Sequence, residues 1–401
     1  MTSPEEQLHV HVNGRFLTQP VTGVQRYGAE LVAAIDRLLA ASDPVTIGLR
    51  VTVHVPEGEP LRDLPVSVVA VVRRGRGRGH VWEQLALPRQ VRDGVLFCPG
   101  NTAPVAALLC GTPVVVTVHD LSFRYFPEAY GQRFRWWYEV LTPLIMSRAS
   151  QVVTVSESER AGILRHYPGV RARLRVVQNG GGVSSGAAAE LGPRSGSPEL
   201  PARYVLYVGS LSRRKNFPGV IAAFGRLAAE DETLCLVVAG AVTSAFRAAP
   251  LELPEAHRSR VVFLGQVNDT ATLAGLYRQA ACFVFPSYYE ASPLPPVEAM
   301  SFGCPVVASS IPSLHERCGD AAEYCEAGDA ESIAAAVRRV LADPALADRL
   351  RARGRQRAEL FTWDGAARST LSVLREAGPA RRRGWFAAAR PQLARSDQQW
   401  R

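Results

Sequence analysis

Apolar and polar positions along the first half of the chain alternate between two periods. His9-Val10-His11-Val12 alternates with period two and reads as a first strand. After a loop over residues 13–23, Val24, Tyr27, Leu31, Ile35 and Leu38 recur at helical spacing, which predicts an amphipathic helix. Apolar runs at residues 51–55, 66–72, 95–98, 113–118 and 152–155 predict further strands, and 176–180 a last strand with its turn. Strands alternating with helices argue for a parallel sheet. A second series starts at residue 204, with strands at 204–208, 234–240 and 261–265 and helices at 217–229, 333–341 and 346–360. Residues 181–201, rich in Gly, Ser, Ala and Pro, separate the two series and read as a linker. The expected organisation is a first α/β domain over 1–182, a linker over 183–200, a second α/β domain over 201–362, a terminal helix over 363–378 and a basic tail over 379–401.

The densest pattern lies at residues 283–309, FVFPSYYEASPLPPVEAMSFGCPVVAS. Val284 and Phe285 end a buried-strand run. Prolines and turn formers keep residues 286–295 out of a regular helix. Pro296 suits a first helical turn, where its missing N–H costs nothing. Gly303 suits the end of that helix, and residues 305–308 open the next strand. A loop that enters a helix after a strand presents free backbone N–H groups, where phosphates bind. Glu290 in the loop and Glu298 in the first turn flank that position, and carboxylates accept hydrogen bonds from hydroxyls. A ligand carrying phosphate and several hydroxyls, such as a sugar nucleotide, fits the pattern. An ordinary strand-to-helix loop with solvated glutamates is the plainer reading.

The chain has 401 residues, more than one hydrophobic core usually serves, which supports two domains. Hydrophobic content is 47% and charged content 21%, in the range of globular proteins. No apolar run is long enough to span a bilayer, and residues 1–10 lack the regions of a secretory signal, so a cytoplasmic protein is expected. The seven cysteines form no CxxC pair and read as buried free thiols in a reducing compartment. A net charge of +9 admits nucleic acid, anionic lipid or phosphate-bearing substrates. No helix-turn-helix, zinc-finger or RNP-like pattern supports nucleic acid, and none is expected as a partner. Residues 123–138, FRYFPEAYGQRFRWWY, interleave aromatics with arginines. One reading is a lipid acceptor or peripheral contact with the inner membrane face. The other is a helix that packs Phe134 and Trp137 on the sheet with its arginines outward. The tail, with Trp385, Phe386 and Trp400, reads either as disordered or as a second membrane contact.

Open α/β sheets bind ligands beyond the carboxyl ends of their strands. Gly23, between the first strand and the first helix, either lets backbone approach a ligand or makes a tight turn. Asn101 follows the strand at 95–98, as an acceptor contact or a turn former. His119 and Asp120 end the strand at 113–118, where a histidine would face a cleft and donate or accept a hydrogen bond. Ser156 and Glu159 form a capping-box pattern. In the second half, Arg214 and Lys215 follow Gly209 at the mouth of a strand-loop-helix unit, placed to neutralise a diphosphate, with Asn216 as helix cap. Solvated surface charges are the plain alternative for that pair.

Glu290, seven residues, Glu298, then Ala299-Met300 and Gly303-x-Pro305-Val306-Val307 resembles the signature of glycosyltransferase family 4, retaining nucleotide-sugar-dependent enzymes of the GT-B fold. The likeness takes in Thr22-Gly23-Val24-Gln25-Arg26-Tyr27, His119-Asp120 and Arg214-Lys215-Asn216, and so covers nearly the whole chain. It implies two Rossmann-like domains facing across a cleft, with the terminal helix crossing back onto the first. Arg214 and Lys215 would hold the diphosphate of a GDP-, UDP- or dTDP-linked donor and stabilise the charge that builds on it. Glu290 would face the sugar and His119 would orient it from the other domain; with the two cations these form the expected catalytic set. Glu298 would take the ribose hydroxyls, and the turn at Val267 would pack beside the base. Gly23, Gly209, Ser292, Pro293 and Leu294 would complete the donor site. Arg26, Asn101 and Asp120 would lie on the acceptor side, Arg26 and Gly23 both lining the cleft. No metal or cofactor is expected, because two cations and a helix end can replace a divalent ion and no Asp-x-Asp occurs. Pro293 departs from the Gly-Phe-Gly common in the family and has no N–H, so phosphate would rely on Ser292, Leu294 or the Arg214-Lys215 pair.

The resemblance thus implies transfer of a hexosyl group, mannosyl or related, to a glycan, lipid-linked or natural-product hydroxyl. Two rivals stand beside it. One is a sugar-nucleotide epimerase or phosphorylase on the same double plan. The other is a non-enzymatic membrane-peripheral protein built from the basic aromatic stretches.

Overall fold

The computed structural model describes residues 7–181, 199–240, 253–267 and 269–378. Most of the expected linker and all of the basic tail lie outside those residues, as does Asn268.

Valine-rich strands with both faces covered suit parallel sheets, and two such sheets form. The first holds β1 (Leu8–Asn13), β2 (Leu49–Val55), β3 (Ala70–Arg73), β4 (Val95–Cys98), β5 (Val114–Thr117), β6 (Gln151–Thr154) and β7 (Leu174–Val176). Their order is β3-β2-β1-β4-β5-β6-β7. The second holds β8 (Tyr204–Val208), β9 (Cys235–Ala239), β10 (Val261–Gly265), β11 (Cys282–Phe285), β12 (Val306–Ser309) and β13 (Ala322–Cys325), in the order β10-β9-β8-β11-β12-β13. Strand pairing is parallel throughout both. In each sheet the order reverses beside the first strand, between β1 and β4 and between β8 and β11. Such switch points open a crevice at the strands' carboxyl ends, and the candidate residues sit in the loops that leave these strands.

Eight helices carry the argument: α1 (Gly23–Ala40), α2 (Gln132–Arg148), α3 (Glu157–His166), α4 (Phe217–Glu230), α5 (Thr270–Gln279), α6 (Pro295–Ser301), α7 (Pro312–Cys318) and α8 (Trp363–Ala377). Helix α1 presents Tyr27, Leu31, Ile35 and Leu38 to the first sheet, the stripe its periodicity predicts. Helix α8 buries Ala366, Ala367, Leu371 and Leu374 in that same core, although it follows the second domain in sequence.

Three local expectations fail for identifiable reasons. The strand expected over 66–72 is confined to β3, because the Asp36 carboxylate takes the backbone N–H groups of Ser67, Val68 and Val69 at 2.7–2.9 Å. Helix α6 starts at Pro295, one residue before the expected Pro296; either proline tolerates the first turn. Five of the seven cysteines are buried, but Cys110 is exposed and Cys235 half-buried, so the uniformly buried reading does not hold.

The two domains are pinned where the chain passes between them. Arg317 of α7 is fully buried, donates to the carbonyls of Asn179 (2.8 Å) and Gly180 (3.0 Å), and stacks 4.1 Å from the Phe361 ring centroid. Burial lowers its pKa to about 10. A Cβ on Gly180 would lie 2.4 Å from the Trp363 ring, so both crossings of the chain touch at one point. Glu316, beside Arg317, accepts from the N–H groups of Glu157 and Ser158 at the start of α3. A carboxylate from one domain thereby caps a helix of the other, where the free N–H groups and helix dipole favour negative charge. No helix among the described residues is long and apolar enough to cross a membrane.

Candidate active site

On the second domain, the chain leaves β8 through Gly209 and turns into α4 at Asn216. Asn216 adopts a left-handed conformation (φ 53°) and its side chain accepts from Gly219 N at 3.2 Å, ending the loop as a cap. This folds Lys215 back over the sheet, with Nζ 4.8 Å from the Phe285 ring centroid. Gly209 makes room for it: a Cβ there would lie 3.1 Å from Lys215 Cδ. Lys215 Nζ donates to Glu290 Oε1 at 2.7 Å, and Ser287 Oγ donates to the same oxygen at 3.1 Å. Arg214 Nη1 donates to Tyr289 O at 2.8 Å and lies 3.4 Å from Glu290 Oε1. Burial opposes ionisation of Glu290, but the two cations outweigh it and hold the carboxyl below its usual range. Burial dominates at Lys215 and depresses its ammonium despite Glu290. The expected surface-charge alternative is excluded by this packing: both cations converge on one buried carboxylate.

Helix α6 adds Glu298 and a thin supply of donors. Pro293, Pro295 and Pro296 carry no N–H, so of residues 293–297 only Leu294 and Val297 have a backbone donor. Ser292 is buried and its hydroxyl has no hydrogen-bond partner among the described residues. Glu298 is buried; Arg26 Nη2 of α1 reaches its Oε1 at 2.5 Å, and Tyr277 Oη of α5 lies 3.4 Å from Oε2. Arg26, expected on the acceptor side, is thus bound to the carboxylate of the second domain. Val267 packs against the core behind α5 and α6, beside this carboxylate's helix.

On the first domain, His119 leaves β5 and is held from two sides. Its backbone N–H donates to Asn101 Oδ1 at 2.6 Å, and its Nε2 donates to Pro99 O at 2.8 Å. Burial lowers its pKa, so the ring is neutral and Nδ1 remains as its acceptor. The Tyr27 ring packs edge-on at 4.6 Å. Asn101 therefore positions His119 through one lone pair of its carbonyl oxygen. Asp120 Oδ1 accepts from Ser122 N (2.9 Å) and Ser122 Oγ (2.6 Å), and its charge raises the pKa of Arg214 across the cleft after Glu290 and burial have acted. Gly23 opens α1 with empty space around its Cβ direction.

Two parts of the cleft escaped sequence reasoning. Ser156 caps α3 as expected, accepting from Glu159 N at 3.1 Å, but the Glu159 carboxylate does not close a capping box. It accepts from Tyr289 Oη of the second domain at 2.6 Å. Burial pushes Glu159 up to about 7. Beneath the first sheet's crevice, fully buried Glu83 takes Asn13 Nδ2 (2.7 Å), Thr102 Oγ1 (2.8 Å) and His80 Nδ1 (2.9 Å), with Arg15 Nε at 3.5 Å. Both clusters join residues far apart in sequence, which no local pattern signals.

The aromatic stretch satisfies neither of its two readings wholly. Trp137 packs partly into the first-domain core, while Phe134 is 40%, Trp136 64% and Val140 52% exposed on α2. Tyr130, Phe134 and Tyr138 stack in a ladder with centroids 5.1 and 4.1 Å apart.

A sequence profile described as "Glycosyl transferases group 1" matches residues 194–357, and one described as "Glycosyltransferase Family 4" matches residues 21–180. Among curated proteins, the chain is 28% identical to the O-antigen chain mannosyltransferase B of Escherichia coli, over 88% of this chain and 96% of that one. It is 30% identical to a glycogen synthase of Mycobacterium tuberculosis, over 83% of this chain and 81% of that one. Among solved structures, sucrose-phosphate synthase from Thermosynechococcus elongatus superposes with a TM-score of 0.67 at 21% identity, covering 92% of this chain and 98% of that one. WaaG, a glycosyltransferase involved in lipopolysaccharide biosynthesis, superposes with a TM-score of 0.65 at 17% identity, over 92% and 99% of the two chains. These two likenesses carry the fold.

Proposed function

We propose, starting from the premise that this chain belongs to glycosyltransferase family 4 (the group 1 glycosyltransferases) and is a glycosyltransferase of the GT-B fold, that it transfers a hexosyl group from a nucleotide-diphosphate sugar to an acceptor hydroxyl with retention of anomeric configuration. The observation that carries this reading is the convergence of Arg214 and Lys215 on buried Glu290 at the β8/β11 switch point. An incoming diphosphate takes the two cations and releases Glu290 to the sugar hydroxyls. The same cations stabilise the leaving diphosphate as the glycosidic bond breaks. They supply the role of a divalent ion, so the transfer needs no metal. Glu298 exchanges Arg26 for the ribose hydroxyls, and the Ser292 hydroxyl and Leu294 N–H meet the phosphate. His119, neutral and fixed by Asn101 and Pro99, accepts a hydrogen bond from a sugar hydroxyl through Nδ1.

The donor sugar we favour is mannose or a related hexose, since the E. coli relative is named as an O-antigen chain mannosyltransferase. The exposed Phe134, Trp136 and Val140 of α2 favour a lipid-linked glycan over a small free acceptor, because aromatics at a basic helix suit a headgroup layer. The test is a panel of GDP-, UDP- and dTDP-hexoses, scored by thermal shift and then by donor hydrolysis. One nucleotide sugar should bind and turn over in the wild type and fail in Lys215→Ala. Release of an epimer without transfer, or turnover in Lys215→Ala equal to wild type, would overturn the reading.

A further inference from the structure

Outside the candidate donor site, three histidines and an aspartate gather on one face of the first sheet. His9 and His11 lie two residues apart on β1 and so share a face. His54 comes from β2, and Asp93 from the loop before β4. His11 Nε2 and His9 Nδ1 lie 2.9 and 3.2 Å from the same Asp93 oxygen. His11 Nδ1 lies 2.9 Å from His54 Nε2, and His54 Nδ1 lies 3.0 Å from Gln90 Oε1. Gln90 is oriented by its amide nitrogen, which donates to Arg74 O at 3.0 Å.

Counting protons along this chain exposes a deficit. Gln90 Oε1 and the Asp93 carboxylate are acceptors at its two ends. Three contacts lie between them, from Gln90 to His54, from His54 to His11 and from His11 to Asp93, and each needs one hydrogen. Two neutral imidazoles supply two. The chain is completed only by one further cation, a proton or a metal ion, at the Asp93 end. His9 can meet either case, because its Nε2 can donate to Thr52 Oγ1 at 2.9 Å and leave Nδ1 as a lone pair toward Asp93.

We propose that His9 Nδ1, His11 Nε2 and Asp93 bind a divalent late first-row ion of the zinc class. The three ligand atoms already lie within 4.8 Å of one another. Each ligating imidazole has its other nitrogen engaged, His9 by Thr52 and His11 by His54, the outer arrangement that fixes the tautomer of metal-bound histidines. Gly94 (φ 62°) presses the Asp93 loop onto β1, where a Cβ would lie 1.9 Å from His9 O, so the carboxylate is held by backbone. Asp93 is 70% exposed, which leaves a route for the ion and a coordination position for water. Imidazole and carboxylate with an open position select zinc and its neighbours over calcium or magnesium. The ligands lie along β1 on the amino-terminal side of Asn13, His9 about 13 Å and His11 about 7 Å of strand away. The site fastens β1 to the β4 loop.

The test uses full-length protein stripped with EDTA and titrated with Zn²⁺, Mg²⁺ or Ca²⁺ by calorimetry and thermal unfolding. One Zn²⁺ per chain should bind and raise Tm, with no effect of Mg²⁺ or Ca²⁺. Asp93→Ala and His9→Ala should each abolish binding, and Thr52→Val should weaken it about 10–100-fold. Cys110→Ser should bind as wild type. Co²⁺ in place of Zn²⁺ should show d–d bands without thiolate charge transfer. Absence of stoichiometric binding, equal affinity in His9→Ala, or a thiolate charge-transfer band would overturn the site. Because it is read by metal binding and melting, its failure leaves the glycosyl-transfer reading untouched, and the converse also holds.

Discussion

Arg26 Nη2 and Glu298 Oε1 meet at 2.5 Å across the cleft, one from each domain. The carboxylate we assign to ribose is therefore occupied by a side chain until a donor arrives. Donor binding must exchange one partner for the other. Glu298→Gln should weaken binding of the matching nucleoside diphosphate at least about tenfold, roughly 1.4 kcal/mol. Arg26→Gln removes the competitor and should tighten it. Calorimetric titration of both variants checks this, and weaker binding in Arg26→Gln would sink the competition.

Because three prolines thin the backbone donors at α6, Arg214 and Lys215 carry the phosphate. Lys215→Ala should lower kcat by about 10²–10³-fold, the scale of one lost charge-stabilising donor. Burial depresses the Lys215 pKa, so its ammonium is lost at lower pH than an ordinary lysine's. The alkaline limb of kcat/KM, which reports the free enzyme, should therefore fall early and extend to higher pH in Lys215→Arg, which keeps its charge. Superimposable limbs in the two proteins would contradict the assignment.

Glu159 links stability to pH. Burial raises its pKa from 4.5 to about 7. Between those values the folded protein holds a proton that the unfolded chain has released, so stability falls as pH rises through this window. The cost well above pH 7 is at most about 3.4 kcal/mol for such a shift. Glu159→Gln keeps an acceptor for Tyr289 and should be more stable than wild type at pH 8 but equal near pH 4. Urea unfolding at both values decides it; a difference independent of pH would refute the linkage.

Asn101 tests positioning against contact. Asn101→Asp retains the acceptor for His119 N and should keep most activity. Asn101→Ala leaves that buried N–H unpaired, at about 1–3 kcal/mol, and should lower kcat with donor KM unchanged. A rise in acceptor KM alone would instead assign Asn101 to direct acceptor contact.

Periodic segments made the fold legible. The stripe of α1, most of the valine-rich strands and, within one residue, the loop-to-helix string at residues 283–309 are local patterns that formed where expected. Lys215, Glu290 and Glu298 were visible as residue types near strand ends, where α/β sheets bind ligands. Their partners were not. Arg26 meets Glu298, Glu159 meets Tyr289, and Asp36 takes the N–H groups that would have extended β3, all over long sequence separations. The metal cluster shows why most plainly. His9 and His11 stand in the open as an alternating pair, yet Asp93 and His54 reach them only once strands β1, β2 and β4 lie side by side.

Helix α8, which follows the second domain in the chain yet completes the first domain's core, bears on how this protein can be recombined. A chimaera joined only near Gly180 would graft a foreign amino-terminal half onto a carboxyl-terminal helix shaped for another sheet. The exchangeable module is discontinuous: residues up to about 180 together with Trp363–Ala377, cut at the two crossings that Arg317 and Trp363 hold in contact.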